Sequence, residues 1–571
     1  MKNKLIKLIA IMMSLLTVFS VTACKKSSGV RGLVDDEKTI NVRMYKAGHG
    51  VEWAYELVDK FEELYADEGY KVNILTPSYD MTGNVVVTEL MQGYEKTGVD
   101  LYITGNVSPQ TVGANGEYGV LCEDLESIFE SLPINYDGTE EETKIADKIR
   151  PELYFDLQDD DGTLYELPSI VSAAGLVVNT VKLEKYGLEI PRTTNELLDC
   201  FRKIYLGHNG MADSESTGIF PLTYVPGSSN GYTQCLNVNM VAQHNFEEFK
   251  EIITMQQVQD DGTLKNMKED GWKVFGYPGV EEMLTVAYEL FDTNVASYGT
   301  AQQTLDQAQA QIMRPDSGAV FMANGSWMLN EVKLNYKNNL DDIDFINNPV
   351  ISSVGVRVFG TDSKYKLSDE KCEEMLCFII DLVDQNKTID EIVAAVKSEK
   401  QIDIAKEDAQ EIATARGVYY NRSGGGILVT KGTTKMDIVS LFLRMLASED
   451  CADTILENAN SCSAYSRRFI DTSKYEFVTQ ASAVMNNVHA ATYETAVQGY
   501  RKVIKNGFGV MANWSHISTS IVQNGISVYD GKGALISGAD YGIYRTKAKE
   551  AVADSLRVAQ ERWDGWVAND K

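Results

Sequence analysis

Strand and helix patterns alternate along the first part of the chain, and this alternation limits the fold more than any other feature. Apolar residues alternate from Thr39 to Tyr45, as in a strand, and recur with helical spacing from Trp53 to Tyr65. The same order repeats with a strand at 70–75, a helix at 85–94 and a strand at 100–103. Such alternation predicts an α/β fold with a largely parallel sheet covered by helices on both faces.

Two loops in this region follow strands and are rich in glycine or small polar residues, namely 46–50 and 104–109. In parallel α/β sheets, ligands bind in the loops at the carboxyl ends of the strands. His49 in the first loop and Asn106 in the second are therefore candidate ligand-binding residues.

The N-terminal residues have the composition of an export signal. Three lysines precede an apolar run from Leu8 to Val21, which is shorter than a membrane-spanning helix with its own flanks. Cys24 directly follows Ala23, an arrangement that resembles the lipobox of bacterial lipoproteins. That resemblance implies a signal peptide at 1–23, lipid attachment (palmitate among the acyl groups) to Cys24, and a flexible tether at 24–37. The alternative is an ordinary signal peptide followed by a coincidental cysteine.

Composition narrows the classes of function. The chain has 571 residues, 53 Lys and Arg against 82 Asp and Glu, and a formal net charge of −29. This length allows two to four domains or two large lobes, and the acidic balance argues against nucleic acid as a partner. Seven cysteines remain after Cys24, an odd number without a CxxC pair, which favours buried thiols. A local bridge from Cys451 to Cys462 stays open.

Four segments, in order, carry a resemblance to a known family. They are Asp161-Gly162 with Tyr165 and Pro168, then Asn179, then Gly187 to Pro191 with Thr193, and finally Gly325-Ser326-Trp327. In this order, they resemble the extracellular carbohydrate-type solute-binding proteins of ATP-binding cassette (ABC) importers, in the branch that includes maltose-binding protein. The resemblance spans most of residues 38–570.

The resemblance implies a two-lobed periplasmic-binding-protein-like fold of type II, with a hinge that the chain crosses more than once. We expect residues 38–170 to form the first part of lobe 1 and 171–350 to belong mainly to lobe 2. Residues 351–424 are expected to hold a helical insertion and the return crossing. The C-terminal helical part, 425–571, would then complete both lobes.

Sugar capture calls for aromatic faces and polar edges, because a sugar ring has apolar C–H faces and hydroxyl edges. By resemblance, Trp327 and Trp514 are the expected stacking residues, and Trp53 is a third candidate that also fits the core stripe of its helix. The expected polar contacts are His49, Asn106, Ser172, Tyr224 and Tyr465. Ser172 replaces an acidic sugar-binding residue of maltose-binding protein, which puts maltose specificity in doubt. For each polar candidate, a structural role is an equal alternative.

Motifs of enzymes are not found: the sequence has no serine-hydrolase elbow, zinc-protease motif, P-loop or dinucleotide-binding glycine run. Together with this absence, the family and lipobox resemblances imply a monomeric binding protein without catalytic residues, metal or cofactor, lipid-anchored at the extracellular face of the cell membrane. Its expected partners are a carbohydrate, most naturally an oligosaccharide, and the permease of an ABC transporter. A surface glycan-binding or sensory lipoprotein without a permease is the main alternative, and a glycan hydrolase is a further one.

Overall fold

The computed structural model describes most of the chain from residue 32 to residue 568. The described residues are 32–46, 48–78, 83–104, 107, 109–113, 119–149, 157, 162–207, 218–225, 231–258, 264–267, 269–292, 303–333, 335–336, 339, 342–423, 426–459, 461–465, 491–493, 528, 536 and 538–568. None of the helices in these ranges is both long and apolar enough to cross a membrane.

The described ranges contain fourteen strands. In chain order they are β1 (Thr39–Tyr45), β2 (Lys71–Ser78), β3 (Leu101–Thr104), β4 (Leu167–Pro168), β5 (Ile170–Asn179), β6 (Ile219–Thr223), β7 (Gln256–Val258), β8 (Leu264–Asn266), β9 (Gly318–Gly325), β10 (Ile343–Ile346), β11 (Val418–Ser423), β12 (Gly426–Val429), β13 (Cys462–Ser463) and β14 (Ala491–Tyr493).

The helices of the first half are α1 (Glu52–Leu64), α2 (Gly83–Gln92), α3 (Tyr94–Thr97), α4 (Pro109–Val112), α5 (Glu126–Phe129), α6 (Ile145–Lys148), α7 (Thr180–Lys185), α8 (Thr194–Gly207), α9 (Gly231–His244), α10 (Phe246–Thr254) and α11 (Pro278–Leu290). Those of the second half are α12 (Leu305–Met313), α13 (Met328–Val332), α14 (Ser353–Phe359), α15 (Asp369–Asp384), α16 (Ile389–Ala395), α17 (Lys406–Gly417), α18 (Met436–Leu446), α19 (Glu449–Ala459) and α20 (Gly542–Ala568).

Two large sheets organise the chain into two lobes. The first has the order β2-β1-β3-β12-β4, in which β1 pairs in parallel with β2 and β3. The second has the order β14-β11-β5-β9-β6, and β10 and β13 also pair with β5. The parallel pairing of β1 to β3 and their connection through α1 to α3 match the α/β pattern predicted from the sequence.

The chain passes between the sheets at three points, the last of which leads from β12 through α18 and α19 to β13 beside β5. Only Ser169, a fully buried residue, separates β4 of the first sheet from β5 of the second. The return runs from β11 of the second sheet to β12 of the first. Gly426 lies opposite both Thr104 and Pro168, so the first two crossings meet the first sheet at the carboxyl end of β3.

Each lobe has a large apolar core. One cluster joins β1, α1 and α18 of the first lobe and continues to α13 of the second. The other packs α8, α9 and α11 against the second sheet and includes the C-terminal helix α20, whose Trp563 is buried beside Gly271. The C-terminal residues therefore complete the second lobe.

The helices α14 to α17 form a separate bundle with its own core, in the region where the sequence predicts a helical insertion. Polar contacts attach it to the second lobe: Arg192 pairs with Asp381 of α15 at 2.7 Å, and Arg416 of α17 donates to the carbonyl of Asn348 at 3.2 Å. Within the bundle, Arg416 also pairs with Asp384 at 2.6 Å. Thr193 accepts a hydrogen bond from the backbone N–H of Glu196, which makes Thr193 the N-cap of α8.

All seven cysteines after residue 24 are buried thiols in the described structure, and none of them forms a disulfide, which leaves Cys451 and Cys462 unbridged. Burial raises the pKa of Cys451 to about 12. A thiol with such a pKa is a poor nucleophile, so this cysteine acts as a small apolar core residue.

A buried lysine fixes the end of α12 against the second sheet. The Nζ atom of Lys182 donates to the carbonyl oxygens of Gln311, Ile312 and Ala319 at 3.1, 3.0 and 2.8 Å. Two of these carbonyls belong to the last turn of α12, where the helix itself supplies no donors.

Replacing Lys182 with Met should lower the free energy of unfolding by about 2 kcal/mol, because buried carbonyl oxygens would lose their donor. Chemical denaturation followed by circular dichroism measures this difference. The matched control is Lys185→Met, which removes an exposed ion pair with Asp316 and should cost about 0–1 kcal/mol. Equal losses of unfolding free energy in the two variants would contradict the structural role of Lys182.

Candidate functional site

The carboxyl ends of strands from both sheets face the same region between the lobes. In the first sheet, β1 and β3 end at the crossings, and the loop after β1 carries His49. In the second, β9 and β11 run antiparallel to β5, so they end where β5 begins, directly after Ser169. β6 is parallel to β9 and ends on the same side. This edge is where an α/β protein places its ligand.

Trp327 occupies the centre of this region, immediately after β9 and before α13. Its indole packs in a small cluster with Ala174, Cys235 and the half-buried Tyr232, whose ring centroid lies 5.7 Å away. Only 5% of Trp327 is exposed. The preceding Gly325 is required, because a methyl group there would collide with the indole ring.

His49 reaches Trp327 from the other lobe. Its imidazole meets the indole edge-on, with ring centroids 5.6 Å apart and planes at 68°. A hydrogen bond of 3.1 Å joins its Nδ1 atom to the hydroxyl of Ser461, which lies just after α19. His49 and Trp327 are thus the two predicted site residues that the structure brings into contact across the lobes.

A carboxyl group lies beside this aromatic contact. Glu331 of α13 accepts a hydrogen bond from the side-chain amide of Gln309 on α12. Burial raises the pKa of the Glu331 carboxyl to about 7, and the nearby charge of Asp306 acts in the same direction. Glu331 was not predicted from the sequence, since nothing in its local pattern separates it from the chain's other acids.

Ser326 adds an unused polar group to the site. Its hydroxyl is buried next to Trp327 and has no hydrogen-bond partner in the described structure, although its backbone N–H donates to Ala173 at 2.9 Å. Ser172 lies nearby on β5, fully buried and opposite Arg422 in the strand pairing. A buried hydroxyl without a partner is unusual and marks a position that a polar ligand could satisfy.

Three other predicted residues lie in the packed interior. Trp53 belongs to the buried face of α1, as its helical spacing also indicated. Tyr224 is fully buried, with its ring edge-on to Phe291 at 5.0 Å. Tyr465 is fully buried and donates its hydroxyl to the carbonyl of Pro168 at the first crossing. For these three, the described contacts are structural, and ligand contact stays a prediction.

Asn106, Trp514 and the lipidation residue Cys24 lie outside the described residues, so their predicted roles stay predictions. Within the described ranges, no group of three His, Cys, Asp or Glu side chains is arranged to hold a metal ion. The described part of the site therefore offers an aromatic surface, hydroxyls, an imidazole and one carboxyl group.

Comparison with known proteins rests on structure alone, because no family model and no curated protein sequence matches the chain. Maltose-bound MalE3 of T. maritima superposes with a TM-score of 0.52 at 14% identity, over 91% of this chain and 99% of that one. A chitin oligosaccharide binding protein gives 0.51 at 12% identity, also over 91% and 99%. A Streptomyces coelicolor chain described as a "probable secreted solute-binding lipoprotein" gives 0.50 at 15%, with the same coverage.

The chain has the two-lobed fold of these solute-binding proteins. At such low identity the likeness establishes the fold and leaves the ligand open. It agrees with the resemblance seen in the sequence motifs, and each superposition extends over 91% of the chain.

Removing the buried hydroxyl of Tyr465 and that of Tyr224 should have different effects on the free energy of unfolding. Tyr465→Phe leaves the Pro168 carbonyl at the crossing without its donor and should lower the free energy of unfolding by about 1–2 kcal/mol. Tyr224→Phe should be neutral or slightly stabilising, because the Tyr224 hydroxyl is buried without a hydrogen-bond partner among the described residues. Denaturant titration of both variants measures the difference, and a reversed order would refute it.

Proposed function

We propose that this protein is a lipid-anchored extracellular substrate-binding protein that captures a sugar or oligosaccharide between its lobes and delivers it to an ABC permease. The observation that carries the proposal is the contact of His49 and Trp327 at the edge where strands of both sheets end. The solute-binding proteins with the same fold support it, since some of them bind maltose or chitin oligosaccharides.

The proposed ligand stacks on Trp327 and bonds to the polar groups around it. An indole face complements the C–H face of a sugar ring, and Ser326 and His49 can satisfy hydroxyl groups at its edges. Because Trp327 is almost fully covered by His49 and Tyr232, a ligand can reach the indole only if the lobes or these side chains separate. Asn106, Ser172, Tyr224, Tyr465, Trp53 and Trp514 remain further candidates for contact.

Capture then follows because the ligand makes more favourable contacts in the closed arrangement of the lobes than in the open one. The lobes are joined by short segments, of which Ser169 is the shortest, and a ligand that touches both lobes favours the closed arrangement. No bond of the ligand is made or broken, so the proposed function needs no catalytic residue and no cofactor. Transport is completed by the permease, which would recognise the closed form.

Sugar binding should raise the melting temperature of the chain from residue 29 onward, which includes every described residue. A sugar at about 100 times its dissociation constant stabilises the folded state by about 2.7 kcal/mol. The measurement is a thermal-shift screen of mono- and oligosaccharides, amino acids and polyamines. We expect Trp327→Ala to abolish the shift. Trp272→Ala, which removes a half-buried indole outside the site, should keep it.

The pattern of responses separates the candidate functions. A shift with another solute class, but with no sugar, would refute the carbohydrate assignment and retain the binding-protein class. Release of smaller sugars from the ligand would point to a glycan hydrolase instead. A sugar response without any copurifying permease would favour a surface glycan-binding or sensory lipoprotein.

The proposed anchor makes a separate prediction. Cys24→Ser should prevent incorporation of labelled palmitate and release the protein from the membrane fraction, because stable anchoring needs the acyl chains that Cys24 would carry. Lys25→Ser is the matched control and should leave labelling and fractionation unchanged. Equal palmitate labelling of the Cys24→Ser variant and the unchanged protein would refute lipid attachment at this residue.

A further inference from the structure

One loop of the first lobe lies directly on α13 of the second lobe. A methyl group added at Gly48 would collide with the indole of Trp327 and would come 2.5 Å from Oε1 of Glu331. The loop is therefore seated on Glu331 with no space between them, and it covers the carboxyl group together with the indole. We call this contact between residues 48–51 and Glu331 the lobe latch.

The loop covers Glu331, and this burial changes the pKa of its carboxyl group. Its described hydrogen-bond donor is the amide of Gln309, which belongs to the same lobe, and among the described residues the charged group that acts on its pKa is Asp306. Burial is the main reason that the pKa of Glu331 rises from 4.5 to about 7. Burial therefore favours the protonated form of this carboxyl group up to about pH 7.

Several other charged groups surround the latch. Asp306 on α12 faces Glu331 and disfavours its ionisation. From the first lobe, the loop contributes His49 and Lys46, and Glu52 lies at the start of α1. Lys333 follows α13 and acts electrostatically on Glu52, as Lys46 does. Both lysines lower the pKa of Glu52, and neither acts on the pKa of Glu331.

We propose that the lobe latch couples closure of the lobes to uptake of one proton by Glu331. When the loop leaves α13, water reaches the carboxyl group and the proton is released. When the loop returns, the carboxyl group is covered and takes the proton back. The proposal rests on the lobe movement of the proposed function but does not depend on the nature of the ligand.

The direction of the pH effect follows from linkage. Glu331 binds a proton more tightly in the closed form than in the open form, so acid favours closure. This stabilisation of the closed form is complete below about pH 4.5, the ordinary pKa of a glutamate carboxyl group. It is lost as the pH rises through about 7. Between these limits the ratio of closed to open protein changes by up to about tenfold per pH unit.

The test measures the distance between the lobes without any ligand. Spin labels are placed at Tyr55→Cys on α1 and Val181→Cys on α7, two exposed positions in different lobes. The described native cysteines are buried and should not react with the label. Double electron–electron resonance on the chain from residue 29 onward, between pH 4.5 and 8, then gives the closed fraction.

Five variants distinguish the latch from other causes. Glu331→Gln keeps a hydrogen-bonding side chain without the charge, and should remain closed across the whole pH range. Gly48→Ala should open the lobes at every pH, whereas Gly565→Ala, with nothing within 4 Å of the added methyl group, should not. Asp306→Asn and His49→Gln should both retain a pH-dependent distance, because Glu331 is unchanged in them.

The inference is overturned if the inter-lobe distance is independent of pH, or if Glu331→Gln keeps the same pH dependence as the unchanged protein. Circular dichroism confirms that each variant is folded before its distance is measured. Because no sugar is present, failure of the sugar screen leaves this result intact. A pH-independent distance in a protein that binds sugar would refute the latch alone.

Discussion

The pairing of β5 holds the molecule together. Its ten residues are all buried, and it is hydrogen-bonded to β9, β10, β11 and β13, which come from widely separated parts of the chain. Only Ser169 separates its first residue from β4 in the other sheet. Because all three crossings begin or end beside this strand, the position of β5 fixes the hinge and the edge where the strands of the second sheet end.

Much of the framework could be predicted from local sequence patterns. The strand at Thr39–Tyr45 and the helix after it have the predicted type and nearly the predicted limits, because apolar periodicity reports directly on burial. Trp327 was found through a short motif that places an aromatic residue at the end of a strand. Its contact with His49 follows from strand ends that face each other.

The rest of the site depends on contacts that no local pattern records. Glu331 differs from other acids only because a loop of the other lobe covers it. Tyr465 resembles an exposed loop residue in the sequence, yet its hydroxyl bonds to a carbonyl nearly three hundred positions earlier. Tyr224 follows a strand as predicted, but its ring packs edge-on against Phe291. Long-range packing decides the role of each of these residues.

The place of the C-terminal helix has a consequence for how the chain reaches its final state. Trp563 fills the core of the second lobe, while β5, the central strand of that lobe, is made almost four hundred residues earlier. The second lobe therefore cannot finish packing until the last helix has emerged from the ribosome. Such distant partners make folding slow, and the second lobe stays incompletely packed, with apolar surface exposed, until they meet.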